Sequence, residues 1–256
     1  MKLRPRRLQY GEEATLVEHL DELRTRLILS LVALGVAFGV AYGFHDAILD
    51  WLTQPLPPAR RDHLLTVSVT EPFFTTIKVC LWAAFALALP LVLWQVWSFL
   101  APAVQEGAQR IIMGFVSLGT LLFATGMAFA YWVVLPPALR FLTNYESELY
   151  NVQVRAGSYF GFVSAVLMGI GIVFELPIFV LALVRLGVLS SDTLRRNRRV
   201  GYVLAFAVAI VLPTVDPVSL VFETVPLLVL FEASIWLSVF FERRWRASER
   251  LEPIPE

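Results

Sequence analysis

The sequence predicts an all-α membrane protein with six transmembrane helices. Of its 256 residues, 57% are hydrophobic and 16% are charged, and the mean hydropathy is +0.68. A soluble domain carries about 25% charged residues, so this composition argues against a cytosolic enzyme. It also excludes disorder, which needs the opposite balance. The apolar residues fall into six runs, and the basic residues lie mostly on one side of them. We therefore expect one integral membrane domain over residues 1–256.

The six apolar runs are the candidate spans, because a bilayer core about 30 Å thick needs roughly 20 helical residues. They cover residues 27–44, 77–99, 111–135, 158–184, 200–213 and 218–241. The first run begins only after a charged stretch, so we interpret it as an uncleaved span and not as a signal peptide. The fifth run covers only about 21 Å. The sixth contains Glu223, Pro226 and Glu232. We expect these last two spans to be the short ones.

The charges indicate the orientation of the spans. Lys and Arg total 21 and Asp and Glu total 21, so the net charge gives no sign of a nucleic-acid partner. If both termini are cytoplasmic, 16 of the 21 basic residues lie on the inner side. Cytoplasmic loops carry an excess of Lys and Arg, so the sequence predicts an N-in, C-in protein. The basic residues left on the outer side are Arg60, Arg61, Lys78, Arg140 and Arg155.

The loops predict a few further elements and no cofactor. The single cysteine, Cys80, and the three separated histidines show no metal-ligand spacing, so neither a disulfide nor a metal site is expected. The outer loop at about 45–76 predicts a short interfacial helix over 46–56 and then an extended segment through Val67 and Val69. A second outer loop is expected over about 136–157.

Glu175 is the residue that a plain helical bundle explains least. It lies deep in the fourth span, two residues before Pro177. A charge at bilayer depth costs about 2.5–3.5 kcal/mol on the insertion scale, so Glu175 is expected to be protonated or to face a wet cavity. Two interpretations stay open: a glutamic acid hydrogen-bonded to a neighbouring helix, or a functional carboxyl.

The segment before the first span combines an apolar stripe with acidic residues. The stripe at helical spacing consists of Leu16, Leu20, Leu23 and Leu27. The acidic residues are Glu18, Asp21 and Glu22, and Glu22 with Arg26 forms a favourable i,i+4 pair. This segment is either a solvated helix face with local ion pairs or a carboxylate cluster that accepts guanidinium groups. In the span itself, the four-residue spacing of Gly35, Gly39 and Gly43 predicts close helix packing.

Six motifs, in this order, carry a resemblance to a known family. They are Glu18–Arg24, Glu71–Phe74, Trp94–Pro102, Gly126–Tyr131, Phe174–Pro177 and Asp216. Over residues 16–241 the chain resembles the TatC family, the multispanning receptor subunit of the twin-arginine protein translocase. The resemblance implies a concave bundle that binds twin-arginine signal peptides of folded cargo proteins at the cytoplasmic face and uses the proton-motive force. It also implies small single-span partners of the TatA and TatB type, homo- and hetero-oligomers in a prokaryotic cytoplasmic membrane, and no enzymatic activity.

The resemblance also assigns residues. Glu22 would accept the signal-peptide arginines, with Arg24 and Phe99 near the same surface and Glu18 as a further candidate. Positions associated with the fold or with translocation are matched by Pro55, Phe73 and Tyr131. Glu175 matches the polar residue on the concave side, and Asp216 matches the carboxylate of the last outer loop.

Two positions depart from the family pattern. Where the family usually has a second signal-recognition glutamate, this chain has Ala108, and we hypothesise that Glu106 replaces it. Where a glutamine in the sixth span often helps bind the single-span partners, this chain has Leu220, and Glu223 lies about one turn further on.

Two other classes were weighed. A proton-coupled small-solute secondary transporter with Glu175 as proton relay is the alternative. Many transporter folds contain an internal repeat, and the two halves here show none. The acidic segment before the first span also has no role in a transporter. An intramembrane enzyme needs a nucleophile or metal constellation, and none stands out in the spans.

Overall fold

The computed structural model describes residues 16–61, 64–100, 108–146, 153–212 and 217–249. The all-α prediction is confirmed, because these residues form helices and one isolated bridge between Leu65 and Arg155. The helices are α1 Leu16–Gly43, α2 His45–Thr53, α3 Pro58–Arg61, α4 Glu71–Leu100, α5 Ala108–Phe129, α6 Leu135–Asn144, α7 Ala156–Val173, α8 Leu176–Arg185, α9 Ser191–Arg196, α10 Arg198–Val211 and α11 Pro217–Glu249.

Five stretches of the described chain are long and apolar enough to cross a bilayer. They are His19–Gly43, Glu71–Phe99, Ile112–Asn144, Ala156–Arg185 and Pro217–Glu242. Each contains most of one predicted span. The remaining predicted span corresponds to α10, whose 14 residues cover only about 21 Å. Its shortness, expected from the sequence, is confirmed. The sixth span has nearly its predicted bounds, since its apolar stretch is Pro217–Glu242, but with 26 residues it is not short. Helix α11 passes through Pro226 without a break and continues to Glu249.

The third span continues beyond its predicted end at residue 135. A π-helical turn, Ala130–Val134, joins α5 to α6, and the Leu135 N–H donates to the carbonyl oxygen of Ala130, five residues back. Proline is tolerated in the first turn of a helix, where its missing N–H has no partner to lose. The two prolines that follow Leu135 lie in that first turn of α6. The loop expected over 136–157 therefore begins with helix as far as Asn144.

The fourth span is broken at Glu175. Helix α7 ends at Val173 and α8 begins at Leu176, with Pro177 in its first turn. A proline has no N–H, so the carbonyl four residues before it receives no helical hydrogen bond. The break therefore lies where a proline interrupts the helical hydrogen bonds, and it places the Glu175 backbone between two helices.

The first long loop differs in part from its prediction. The expected short helix is confirmed as α2, which buries Leu52. The prediction of an extended segment through Val67 and Val69 is wrong, because only Leu65 forms a bridge and the chain then turns into α4. The turn forms because the Glu71 N–H donates to the Ser68 carbonyl at 3.1 Å. Glu71 also accepts the Val67 N–H, as described below.

The helices pack in pairs. Helix α1 lies along α4, α4 and α5 both contact α7, and α11 packs against α8 and α10. The largest core cluster joins the middle of α7 to α2 and the π-helical turn, with Tyr131, Val163 and Val166 fully or nearly buried. The glycine prediction for α1 is wrong within this chain. No other part of the structure lies within 4 Å of a Cβ built at Gly35, Gly39 or Gly43.

The bundle has two distinguishable ends. At the Phe99 end, α1 begins and α4 ends, and the rings of His19 and Phe99 stack there. At the Glu71 end, α4 and α7 begin, and Arg60 of α3 reaches the carbonyl of Thr143 in α6. The chain therefore runs back and forth between these ends.

Candidate functional site

The Phe99 end brings together the motifs Glu18–Arg24 and Trp94–Pro102 and the leucine stripe of α1. The His19 and Phe99 rings stack with centroids 4.4 Å apart and 24° between their planes. Residues three and four apart on a helix share a face, so Glu22 follows His19 on the same side of α1. The apolar stripe on α1 is exposed: Leu20, Leu23 and Leu27 keep 63%, 44% and 58% of their surface. This end therefore presents a carboxylate, an aromatic stack and an apolar stripe next to one another.

The predicted Glu22–Arg26 ion pair is confirmed. The Arg26 Nε donates to Glu22 Oε1 at 3.0 Å, and the Nη2 of the same guanidinium contacts the same oxygen. The side chains of Arg26 and Glu22 are only 15% and 11% exposed. Glu22 therefore already holds a guanidinium group, and its Oε2 accepts no hydrogen bond from any described residue.

Arg24, by contrast, is exposed on α1. The side chain of Glu18, all of Glu106 and the side chain of Ala108 lie outside the described residues. The second signal-recognition carboxylate thus stays a prediction.

At the Glu71 end, one carboxylate connects three segments, an arrangement that we call the Glu71 junction. Glu71 Oε1 accepts from Arg155 Nε at 2.7 Å and from the Gly157 N–H at 3.1 Å, and Oε2 accepts from the Val67 N–H at 2.9 Å. The hydrogen bond to Glu71 raises the pKa of the Arg155 guanidinium above its usual value. A Cβ at Gly157 would lie 2.7 Å from Glu71 Oε1, so a side chain there would displace the carboxylate.

Two buried tyrosines fasten α2 to the bundle near the same end. The Tyr131 hydroxyl donates to the Trp51 carbonyl at 2.8 Å. The Tyr131 ring stacks on the Trp51 ring, with centroids 4.0 Å apart. The Tyr159 hydroxyl donates to the Leu52 carbonyl at 2.6 Å. Of the other predicted positions, Pro55 lies in the turn after α2 and Phe73 is 59% exposed at the start of α4.

Glu175 lies against the seam between α4 and α5. A Cβ built at Gly119 would be 2.9 Å from Glu175 Oε2 and 3.0 Å from Leu93 Cδ1. Position 119 therefore leaves room for the carboxyl because it has no side chain. Glu175 Oε1 is buried and has no hydrogen-bond partner in the described structure.

The predicted partner-docking positions lie on α11. Leu220 is half-buried and packs into an apolar cluster with Ala205 and Ala209 of α10, and Glu223 is buried, with 3% of its surface exposed. Further along α11, Glu232 accepts from the Tyr202 hydroxyl and lies 3.6 Å from Arg198 Nη2, both on α10. Asp216 lies outside the described residues.

Sequence reasoning missed several of these contacts. Arg155, Trp51 and Tyr159 carried no local signal, because their partners are 80 or more residues away in the chain. Glu71 lies inside the motif Glu71–Phe74, and a carboxylate at a helix start was the available signal for it. No group of three potential metal ligands occurs among the described residues, which gives no support for a metal centre.

The fold defines a polytopic membrane protein, since five stretches of the described chain are long and apolar enough to cross a bilayer, and Glu175 lies within the fourth of them. Comparison with known proteins gives the family. The model of the family described as Sec-independent protein translocase protein (TatC) matches residues 18–226. The chain therefore belongs to the TatC family.

Individual relatives agree along nearly their whole lengths. The TatC protein of Carboxydothermus hydrogenoformans is 34% identical over 92% of this chain and 97% of its own length. The Escherichia coli K12 protein is 35% identical over 91% of this chain and 92% of its own length. A crystal structure of the twin-arginine translocase receptor TatC in DDM superimposes with a TM-score of 0.76 at 34% identity, covering 86% of this chain and 99% of that one.

Proposed function

We propose that this chain is the receptor subunit of a twin-arginine export system. It recognises twin-arginine signal peptides and supports the transfer of folded proteins across the membrane, driven by the proton-motive force. Membership of a translocase family supports the role, and the observation that carries the recognition step is the Glu22 carboxylate, already bound to a guanidinium group. The chain itself acts as a binding subunit and not as an enzyme.

Recognition proceeds by exchange at Glu22. A guanidinium group offers several N–H donors in a rigid fork, which a carboxylate can accept in pairs. The incoming arginine takes the place of Arg26, or binds the second oxygen beside it. The Glu22 carboxylate is mostly covered, so water competes less for it and its ion pair with a guanidinium group is stronger. The apolar part of the signal then lies along the exposed leucines of α1 beside Phe99.

The membrane arrangement follows from the charges. We place the Phe99 end in the cytoplasm and the chain in a prokaryotic cytoplasmic membrane, as one domain with both termini inside. The excess of basic residues on that side supports this orientation. Small single-span subunits dock along the edge of α10 and α11, near Leu220 and Glu223, and Asp216 acts in the outer loop. Glu175, Pro55, Phe73 and Tyr131 serve translocation.

The test is export in cells that lack their own copy of this subunit. A folded reporter with a twin-arginine signal should be exported when this chain and matched single-span subunits are present. Export should fail when the two signal arginines are replaced by lysine, because an ammonium group does not reproduce the paired donors of a guanidinium. Glu22→Gln should abolish export and signal-peptide binding.

The matched control is Asp21→Asn, which removes an exposed carboxylate one residue away. It should preserve export. Equal loss of export in both variants, or export that does not depend on the signal arginines, would contradict the proposal.

Glu106→Gln tests the substitute for the second glutamate, and unchanged signal-peptide binding in that variant would remove Glu106 from the site. The secondary transporter is not favoured, because the relatives found are translocase proteins.

A further inference from the structure

A buried indole N–H near Glu175 also lacks a hydrogen-bond partner. Trp97 Nε1 and Glu175 Oε1 are both buried, and neither has a partner in the described structure. Buried polar groups are normally hydrogen-bonded to protein or to ordered water. Within a bilayer this requirement is stricter, because lipid offers no partner. A donor and an acceptor left open in one region therefore indicate a site for a small hydrogen-bonding molecule.

The two groups lie on the same seam between helices. Leu93 of α4, Gly119 of α5 and the Glu175 carboxyl meet in one layer. In the next layer, Trp97 stacks on Phe115 with ring centroids 4.5 Å apart. Trp97 follows Leu93 by four residues and Phe115 precedes Gly119 by four, as expected for antiparallel helices. The indole is therefore about one helical turn from the carboxyl, displaced toward the Phe99 end.

The opposite side of Glu175 is filled by apolar side chains. A Cβ at Gly126 would lie 2.7 Å from Phe174, and one at Gly171 would lie 2.7 Å from Phe123. Leu89, Phe123 and Met168 form a buried cluster in this region. These contacts leave no hydrogen-bonding side chain among the described residues of that cluster, which lies toward the Glu71 end.

The charged residues of α4 and α5 are Glu71, Lys78 and Arg110, and the parts of the two helices beside Glu175 contain none. The sequence from Val79 to Phe99 and from Ile111 to Phe129 contains no Asp, Glu, Lys, Arg or His. On α11, which packs along α8, the carboxyls are Glu223, Glu232, Glu242 and Glu249. Glu232 pairs with Tyr202 and Arg198, and Glu242 accepts from the Ser191 N–H. Since Pro177 has no N–H, the carbonyl of Val173 is a further acceptor at the break.

We propose that Glu175 exchanges its proton with water that enters from the Phe99 end and is held by the Trp97 indole N–H. The indole N–H and the protonated carboxyl both donate to the oxygen of this water. As the carboxyl proton moves to this water, the water gives one of its own protons to the next water toward the Phe99 end, so a neutral water stays beside the carboxylate and the proton reaches the aqueous phase. The reverse transfer restores the acid. A buried water typically has two to four polar partners, and Trp97, Glu175 and the Val173 carbonyl supply that number.

This inference goes beyond the proposed function, because it specifies the end from which a proton reaches the membrane interior. Its test is infrared spectroscopy of the full chain in lipid nanodiscs, at a pH low enough to show a protonated carboxyl band. The C=O band that Glu175→Gln removes belongs to Glu175. On transfer to D2O this band should shift quickly. In Trp97→Phe, which keeps the aromatic stack and loses the N–H, the exchange should be severalfold slower and the C=O stretching frequency higher.

The matched control is Trp94→Phe, which removes a half-buried indole from the same helix. Its exchange and C=O frequency should equal those of the unmodified protein. The inference is overturned if Trp97→Phe also leaves both values unchanged, or if Trp94→Phe changes them equally. Export measured in the same variants separates the two proposals: normal exchange without export counts against the proposed function alone.

Discussion

The two ends of the bundle use the same chemical pair in different ways. At the Glu71 end, a glutamate accepts from an arginine 84 residues away and from two backbone N–H groups. At the Phe99 end, Glu22 is bound by one arginine, four residues along the same helix. A carboxylate with three donors, two of them 84 and 86 residues away, fixes the fold. A carboxylate with one local donor can exchange that donor for another guanidinium group.

The largest effect on stability is expected from Glu71→Gln. The amide keeps the volume but removes the charge that Arg155 pairs with, and it weakens the bonds from Val67 and Gly157. The melting temperature in detergent, followed by tryptophan fluorescence, should fall by several degrees. Glu22→Gln is the matched variant at the other end and should change it little. Equal losses would show that the two ends do not differ as described.

A smaller loss is expected from Tyr159→Phe. The Tyr159 hydroxyl is buried and donates to the Leu52 carbonyl at 2.6 Å. Removing it should lower the free energy of unfolding by about 1 kcal/mol, since one neutral hydrogen bond is lost and a carbonyl is left unpaired. Chemical denaturation in mixed micelles measures this value. Tyr145→Phe, which alters a tyrosine that is 57% exposed, is the control and should have almost no effect.

Gly157→Ala tests the close approach at the Glu71 junction. The added Cβ would lie 2.7 Å from Glu71 Oε1. The carboxylate is the flexible end of a side chain, so it can shift, and the melting temperature should fall by less than in Glu71→Gln. Gly161→Ala, one turn further along α7, meets nothing within 4 Å and should not lower it. An equal fall in melting temperature in both variants would mean that alanine destabilises helix α7 itself and not the contact with Glu71.

The smallest change in stability is expected from Arg26→Gln. The pair is mostly covered but is local to one helix, and an i,i+4 ion pair stabilises a helix by about 0.2–0.5 kcal/mol, so unfolding should change little. Binding of a twin-arginine signal peptide should become severalfold tighter, because Glu22 no longer holds an internal guanidinium group. Fluorescence titration with a labelled peptide measures the affinity. The affinity of Arg26→Lys should lie between those of the unmodified protein and Arg26→Gln. Weaker binding in Arg26→Gln would mean that Arg26 assists the ligand and does not compete with it.

Local patterns in the sequence predicted the Phe99 end better than the Glu71 end. The leucine stripe and the Glu22–Arg26 pair follow from helical spacing alone, and the structure contains both. The Glu71 junction could not be predicted, because no spacing rule relates Glu71 to Arg155. The end of the third span was misplaced because apolar content decreases near Pro136, although proline fits the start of a helix. The glycines of α1 suggested packing that this chain does not make.

The separation of Glu71 and Arg155 also has a consequence for synthesis of the chain. The partner of Glu71 is translated 84 residues later. At a synthesis rate of roughly 5–20 residues per second, Arg155 is added to the chain several seconds after Glu71. The Glu22–Arg26 pair, in contrast, forms as soon as one helical turn is made. The nascent protein therefore forms its Glu22–Arg26 pair first, and its Glu71 junction closes only after the start of α7 has been made.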